Sequence, residues 1–514
     1  MVALQSMRMV PSVGSSTGHI HLGWIMKRNA ASAVVLAISL IALLGCSGVP
    51  HGTTGGGGGG GGSQNASLAV TMTSTPPALA NISLLSATVG ITGITLTPSS
   101  GSAVSLTLTP TVYPIDLMRL QSDTSFLGSL SLPAGTYNSA SVTFSAPTLT
   151  ISNQSGTTLN GTCLNGTICQ IVLTAGSAQV ITAPFPLTLT AGQATGISLN
   201  INLQNALTLT SSTLALSFSA TNVATAATLP RTGAPSGALD LIEDFVGRIT
   251  AQSGSSLTVT AGNGISLNLT MPSSPVIEDP QGLCPALDAT CLVPNQTLVS
   301  VDATLSTSGT LTLVSADLLD ASPRDEVEGT LINNGTPDQF FLVVANKEVA
   351  SGNGTLAAAN PGDVFLVTLA NPVFIVDLDE FFNNASLPSS TVTTLFSGEA
   401  SLVNGQDVMV HVTAATGAAS TGNQAITSDQ VALRFTRTTG TVQTVSGQSF
   451  SISNLPPFMP FVTNPLVDTI NGVTNFDGVT DVNSVSGGQN VSIRALLLNN
   501  STFSFYAAKV RVQP

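Results

Sequence analysis

The residues able to do chemistry in this chain are few and they cluster. Four of the five cysteines form two close pairs, Cys163 with Cys169 and Cys284 with Cys291. Each pair could close a small loop in an oxidising compartment. A thiolate metal site is the alternative, but it usually draws on CxxC spacing and neighbouring histidines, and neither accompanies these pairs. His411 is the one histidine inside a predicted domain, so a Ser-His-Asp or Cys-His group would have to use it. Carboxylates gather at Asp240, Glu243 and Asp244, at Asp325, Glu326 and Glu328, and at Asp377, Asp379 and Glu380. Hydrolases need two carboxylates held across a cleft, and calcium needs six to eight oxygens. The first two clusters lie at unit boundaries, where solvated charge at a strand entrance is the ordinary cause. Asp377, Asp379 and Glu380 with Asn383 and Asn384, or Asp477 and Asp481 with Asn483, could supply calcium oxygens, but neither set has EF-hand or RTX spacing. No phosphate loop, HExxH or CxxC occurs. The run Gly55 to Gly62 follows no strand and opens no helix, so it does not read as a phosphate cradle. Triplets of Asn-x-Ser/Thr, as at Asn65 and Asn81, are expected by chance in so Asn- and Thr-rich a chain. No catalytic residue, metal site or cofactor is assigned.

The fifth cysteine closes a different pattern. Met26-Lys27-Arg28-Asn29 precedes an apolar run from Ala30 that ends in Leu43-Leu44-Gly45-Cys46. A basic start, a short apolar stretch and small residues before a cysteine form a secretory signal too short for a retained membrane span. The segment resembles a bacterial lipoprotein signal with Leu43 to Cys46 as its lipobox. That resemblance implies acylation of Cys46, which would become the first mature residue. The residues before Met26 fit no targeting pattern, so Met26 is expected to be the true start. The mature chain would then lose Trp24, His19 and His21. Without tryptophan it lacks the commonest platform for stacking on sugar rings, leaving phenylalanine with Tyr113, Tyr137 and Tyr506.

Composition bounds the function classes. Of 514 residues 43% are hydrophobic and only 8% charged, as in exported β-rich proteins rather than cytoplasmic enzymes. The chain has 13 Lys+Arg and 26 Asp+Glu. Arg8, Lys27 and Arg28 lie before Cys46, where no acid occurs, so ten cations remain and the mature net charge is 10 − 26 = −16. Such a surface repels nucleic acid and anionic lipid, and membrane attachment must come from the acyl anchor.

After Cys46 the glycine run reads as a flexible tether with a reach on the order of 20 Å for about 15 residues. From Leu68 to Thr221 apolar residues alternate with Ser, Thr or Asn, for example at Ile91 to Leu96, Val142 to Phe144 and Ile197 to Leu203, and turn residues punctuate the runs. An antiparallel β-sandwich follows, with one helical turn around Asp116 to Leu120. Val89 to Leu96, Ile115-Asp116-Leu117 and Leu130-Ser-Leu-Pro-Ala-Gly-Thr-Tyr137 resemble the family catalogued as domain of unknown function 4382. It is found in bacterial lipoproteins and described as a β-sandwich. Where that family often opens with Thr-Asp-Ala-Pro, this chain has Thr73 to Pro77.

Beyond an Ala/Thr/Pro/Gly-rich stretch from Asn222 to Ala238, read as a linker, the chain repeats itself. Gly247 to Thr260 matches Gly440 to Ser453, and Gly329 to Val344 is a looser copy. Each copy ends similarly, at Asn295-Gln296, Gly405-Gln406 and Gly488-Gln489, followed by a closing strand. In those ending strands His411 falls where Asp302 and Arg494 sit, which favours an outward strand position over a catalytic base. The copies resemble the small barrel catalogued as domain of unknown function 5666, and five or six strands apiece suit such barrels.

The expected all-β organisation is therefore a signal region (1–45), a lipidated tether (46–65), a sandwich (66–221), a linker (222–238) and three barrel repeats (239–321, 325–439 and 440–514). The functional expectation is a non-enzymatic, lipid-anchored protein of the bacterial cell envelope, on the outer membrane because Ser47 rather than Asp follows the cysteine. It would bind or support a polysaccharide or another envelope protein, with no nucleic-acid partner. An accessory subunit of a surface uptake or hydrolase system is the alternative. If the repeats touch little, each barrel should fold separately.

Overall fold

The computed structural model describes residues 65–513, apart from 146, 174–178, 219–221, 382–388, 418–423, 462 and 500–503. The signal region, Cys46 and the glycine run lie outside the described residues. The described chain belongs to one compact unit, and its core is apolar alternation folded into paired strands.

Residues 65–229 form the sandwich. One sheet runs Ala224–Leu229, Ala194–Asn202, Asn65–Thr75, Ser125–Pro133, with Asn65–Thr75 parallel to Ala194–Asn202. The other is built on the long strand Ile82–Pro98, flanked by Thr148–Asn153 and Gly135–Phe144. Leu68, Val70 and Met72 of the first sheet meet Ile94, Leu96, Val142 and Phe144 of the second in one core. The stretch read as a linker thus starts with an edge strand of the sandwich. The expected helical turn is a 3-10 turn at Arg119–Gln121.

Three barrels follow on a common strand order. In barrel 1, Ser266–Thr270, Ser256–Thr260, Ala238–Ser253, Leu298–Ser306 and Leu311–Asp320 pair in turn, and Leu269 and Thr270 close the ring against Leu311 and Thr312. Val276–Glu278 adds a short parallel strand. Barrel 3 repeats this with Leu466–Thr469 closing against Ser504–Val512 and Asn475–Asp477 added. In barrel 2 the single strand Val364–Val376 does both jobs, pairing with Ala425–Arg434 in two stretches of a closed five-stranded barrel.

The repeated sequence signals have physical causes here. A Cβ at Gly247 would lie 2.7 Å from the backbone of Thr260, one at Gly440 2.9 Å from the carbonyl oxygen of Ser453, and one at Gly329 closer still to that of Val343. The opening strand crosses its hairpin partner at a distance only glycine allows. The turn before each ending strand has a left-handed residue, Asn295 (φ 61°), Gly405 (φ 91°) or Gly488 (φ 88°). The following glutamine secures it: Gln406 Oε1 accepts from the Val403 amide (2.8 Å) and Gln489 Oε1 from the Ser486 amide (2.7 Å).

Both expected disulfides are present. Cys163 joins Cys169 across six positions and Cys284 joins Cys291 across seven. The second fixes the loop that delivers Leu292 to the barrel 1 core.

Candidate functional site

The strand Ala238–Ser253 carries a bulge between Ile242 and Phe245, and Asp244 within it is left-handed (φ 53°). A bulge re-aims side chains, and Asp tolerates this backbone better than most residues. Here it turns Glu243 and Asp244 into the junction of the sandwich with all three barrels. Both are buried, where the sequence pattern had implied solvated strand-entrance charge.

Asp244 is the hub. Its carboxylate pairs with Arg434 at 2.5 Å and with Arg437, and lies 3.9 Å from Arg494 and 4.0 Å from Arg119. Ser300 adds a hydroxyl at 2.7 Å. Burial opposes ionisation of Asp244, but the guanidinium groups of Arg434, Arg437 and Arg494 outweigh it and hold the carboxyl well below the usual range. Arg437 in turn reaches Asp123 of the sandwich at 2.5 Å and Asp407 of barrel 2 at 3.3 Å. Burial alone would lower its pKa, and the carboxylates of Asp123, Asp244 and Asp407 raise it instead.

The pairing continues outward. Glu243 binds Lys509 and lies 3.4 Å from Arg494, both of barrel 3. Arg494 stands 5.2 Å over the Phe435 ring of barrel 2. Arg119, on the 3-10 turn of the sandwich, reaches Glu328 of barrel 2 at 2.9 Å. Arg511 of barrel 3 donates to the Leu120, Gln121 and Asp123 carbonyls of the same turn at 2.9, 3.2 and 3.0 Å. Seven of the ten cations after Cys46 (Arg119, Arg231, Arg434, Arg437, Arg494, Lys509 and Arg511) are spent on this junction.

The short added strands of barrels 1 and 3 end in an acid whose register partner lies on the closing strand, and in barrel 2 an acid directly follows Val364–Val376. Asp477 faces Arg511 at 2.7 Å and Asp377 pairs with Arg434. In barrel 1 the acid Glu278 faces another acid, Asp317. Asp317 is fully buried, and neither of its carboxylate oxygens has a hydrogen-bond partner among the described residues. Burial pushes its pKa up to about 7, with Arg434 opposing and the charges of Asp244 and Asp279 adding to the rise. At the seam between barrels 1 and 2, burial likewise raises Glu326 to about 8 and Glu348 to about 7, despite Arg324 and Arg248 nearby.

Above the hub a cleft of about 620 Å³ opens between the sandwich, barrel 2 and barrel 3. Asp116, Arg119, Asp407 and Arg437 line it with Pro76, Pro77, Pro456, Pro457, Leu455 and Met459. Thr439, Thr441, Asn454, Asn490 and Gln513 supply neutral polar groups.

The other sequence candidates fall elsewhere. His411 lies on the outer face of barrel 2 with Nδ1 2.5 Å from Asp429, across the strand pair from Glu326. The calcium oxygens are not assembled: Asp377 and Asp379 face Arg434 and Arg494, with Asp379 3.8 Å from Arg494, and Asp477 faces Arg511. Asp481 accepts from the Ser484 amide and hydroxyl, both at 3.1 Å. Asn383 and Asn384 lie outside the described residues. Among the described residues no group of three or more His, Cys, Asp or Glu could hold a metal ion. The junction itself escaped sequence reasoning, although Arg434 and Arg494 each interrupt a strand apolar on both sides, a signal of a buried charge with a partner.

A family model described as a domain of unknown function, DUF4382, matches residues 65–220, which is the sandwich without its last edge strand. The match covers the domain that supplies the 3-10 turn and one wall of the cleft. No curated protein matches the chain.

Two outcomes follow from the junction. Replacing Asp244 by Asn leaves several buried guanidinium groups short of a counter-charge, and the folded state should lose about 3–5 kcal/mol in chemical denaturation, whereas Asp481→Asn at the surface should change little. Asp317 has a folded pKa raised above its unfolded value, so its cost is absent below about pH 4 and complete above about pH 7. Stability should therefore fall as pH rises through that window, and Asp317→Asn should flatten that part of the stability profile measured by denaturant midpoints.

Proposed function

We propose that this chain is a non-enzymatic, acylated protein of the bacterial cell envelope, held to the outer membrane by lipid on Cys46, whose folded body serves as a rigid binding or structural module. The observation that carries the reading is the destination of its ionisable groups. The carboxylates and cations that cluster do so with one another, at the junction of four domains, which suits a group of domains held in fixed relation more than an acid–base site. The disulfides support an oxidising compartment, and the negative net charge argues for an acyl anchor over a basic membrane face. Among the described residues no helix is long and apolar enough to cross a membrane. The small barrel form of the three repeats supports their resemblance to the domain of unknown function 5666 family, and in this reading they extend the body that the glycine tether holds off the bilayer.

Metabolic labelling with a fatty-acid probe tests the anchor. The wild-type protein should be tagged and fractionate with the outer membrane, and Cys46→Ser should be neither. Equal labelling of the two would remove the anchor from the account.

A further inference from the structure

We infer that the cleft between the sandwich, barrel 2 and barrel 3 is a binding site for a neutral oligosaccharide. The inference rests on the reading of the protein as an envelope binding module and adds to it a place and a ligand class. At about 620 Å³ the cleft lies within the range of ligand pockets, roughly 300–1,000 Å³, and at a domain interface, where such pockets concentrate.

Its charges are balanced in number. Two acids, Asp116 and Asp407, balance two cations, Arg119 and Arg437. Arg437 is engaged by Asp123, Asp244 and Asp407, and Arg119 by Glu328 through Nη2, its Nη1 having no hydrogen-bond partner among the described residues. Asp116 accepts from the amides of Ala87 and Met118, both at 2.9 Å. An incoming charge would have to break pairs that already compensate one another, inside a protein that is strongly negative overall.

Nor do two of the wall strands offer an extended peptide a free edge. The wall strand Thr436–Ser446 is paired at Thr441 on both edges, with Ser453 and Asn490. The wall strand Gln339–Glu348 is paired at Val343 on both edges, with Thr330 and Val364. The two loops that face the cleft carry Pro76-Pro77 and Pro456-Pro457, which have no amide hydrogen to donate. Strand addition, which depends on free main-chain groups, has nothing to pair with at these positions.

Neutral side-chain groups remain, and they are oriented. Asn454 Nδ2 donates to Thr441 Oγ1 at 3.2 Å, and Thr441 Oγ1 donates to Asn490 Oδ1 at 2.9 Å. This relay leaves the Asn454 carbonyl oxygen and the Asn490 amide nitrogen without partners among the described residues, and both side chains are exposed. One fixed acceptor and one fixed donor suit the hydroxyls of a sugar, each of which both gives and takes a hydrogen bond. The proline rings offer rigid C–H surface to the apolar face of a pyranose, the part that an aromatic platform would otherwise cover.

The test uses the full-length protein in detergent, titrated calorimetrically with short neutral oligosaccharides of glucan, xylan and mannan, with an oligogalacturonate as the acidic probe and an unstructured peptide as the third. At least one neutral oligosaccharide should bind. Thr441→Val, which removes the relay at constant shape, and Asn454→Gly, which keeps the left-handed backbone (φ 56°), should each weaken binding by about tenfold with an unchanged melting temperature. Binding that both variants leave intact would overturn the site while sparing the envelope reading. Binding of the acidic sugar or the peptide alone, or of no probe, would overturn the ligand class, and fatty-acid labelling would still judge the anchor separately.

Discussion

A carboxylate buried where four domains meet imposes the constraint on which this structure depends. Asp244 has no exposed surface on its side chain, and several guanidinium groups from barrels 2 and 3 and from the sandwich stand around it. Taking such ions from water costs several kcal/mol each, and the cost is recovered only while every partner holds its place. A domain that moved away would strand its neighbours' charges. The penalty for partial opening therefore acts across the whole body, which makes the network a device for fixing domain positions more than a source of net stability.

That arrangement gives the small sandwich turn at Arg119–Gln121 an influence out of proportion to its length. Its side chains and carbonyls reach barrel 2 through Glu328 and barrel 3 through Arg511, so the sandwich is held by polar contacts where its apolar core ends. The cleft above inherits its shape from the same contacts. Arg437 and Asp407 line it together with strands and loops of separate domains, so a ligand there would meet a surface whose parts are already fixed in relation to each other. Preorganisation of that kind limits what binding must spend on ordering.

Much of the fold was legible in the sequence because its causes are local. Alternation marked the strands, and the glycines at 247, 329 and 440 marked a close crossing that a Cβ forbids. The Gln406 and Gln489 motifs marked turns closed by their own side chains, and the short cysteine spacings allowed the two disulfides. The junction was not legible, because its partners are far apart in sequence: Arg437 lies 314 positions from Asp123 and 193 from Asp244. A local reading of Asp240, Glu243 and Asp244 finds only charge at a strand entrance. The drifting position shared by Asp302, His411 and Arg494 held the missing information. In barrels 1 and 3 it faces inward to the junction, where Asp302 accepts the Asp244 amide at 2.8 Å, while in barrel 2 it turns outward to Asp429. The exchange of Asp317 in barrel 1 for Arg511 in barrel 3 is the same kind of signal, visible only once the register of the barrels is known.

If the ion network joins the domains, they must unfold together, and differential scanning calorimetry of the intact protein tests this most directly. The account predicts one transition whose calorimetric and van't Hoff enthalpies agree, and loss of that transition when residues 440–514 are removed. Separate transitions for the sandwich and the barrels, with the remainder still melting normally after the third barrel is deleted, would contradict it.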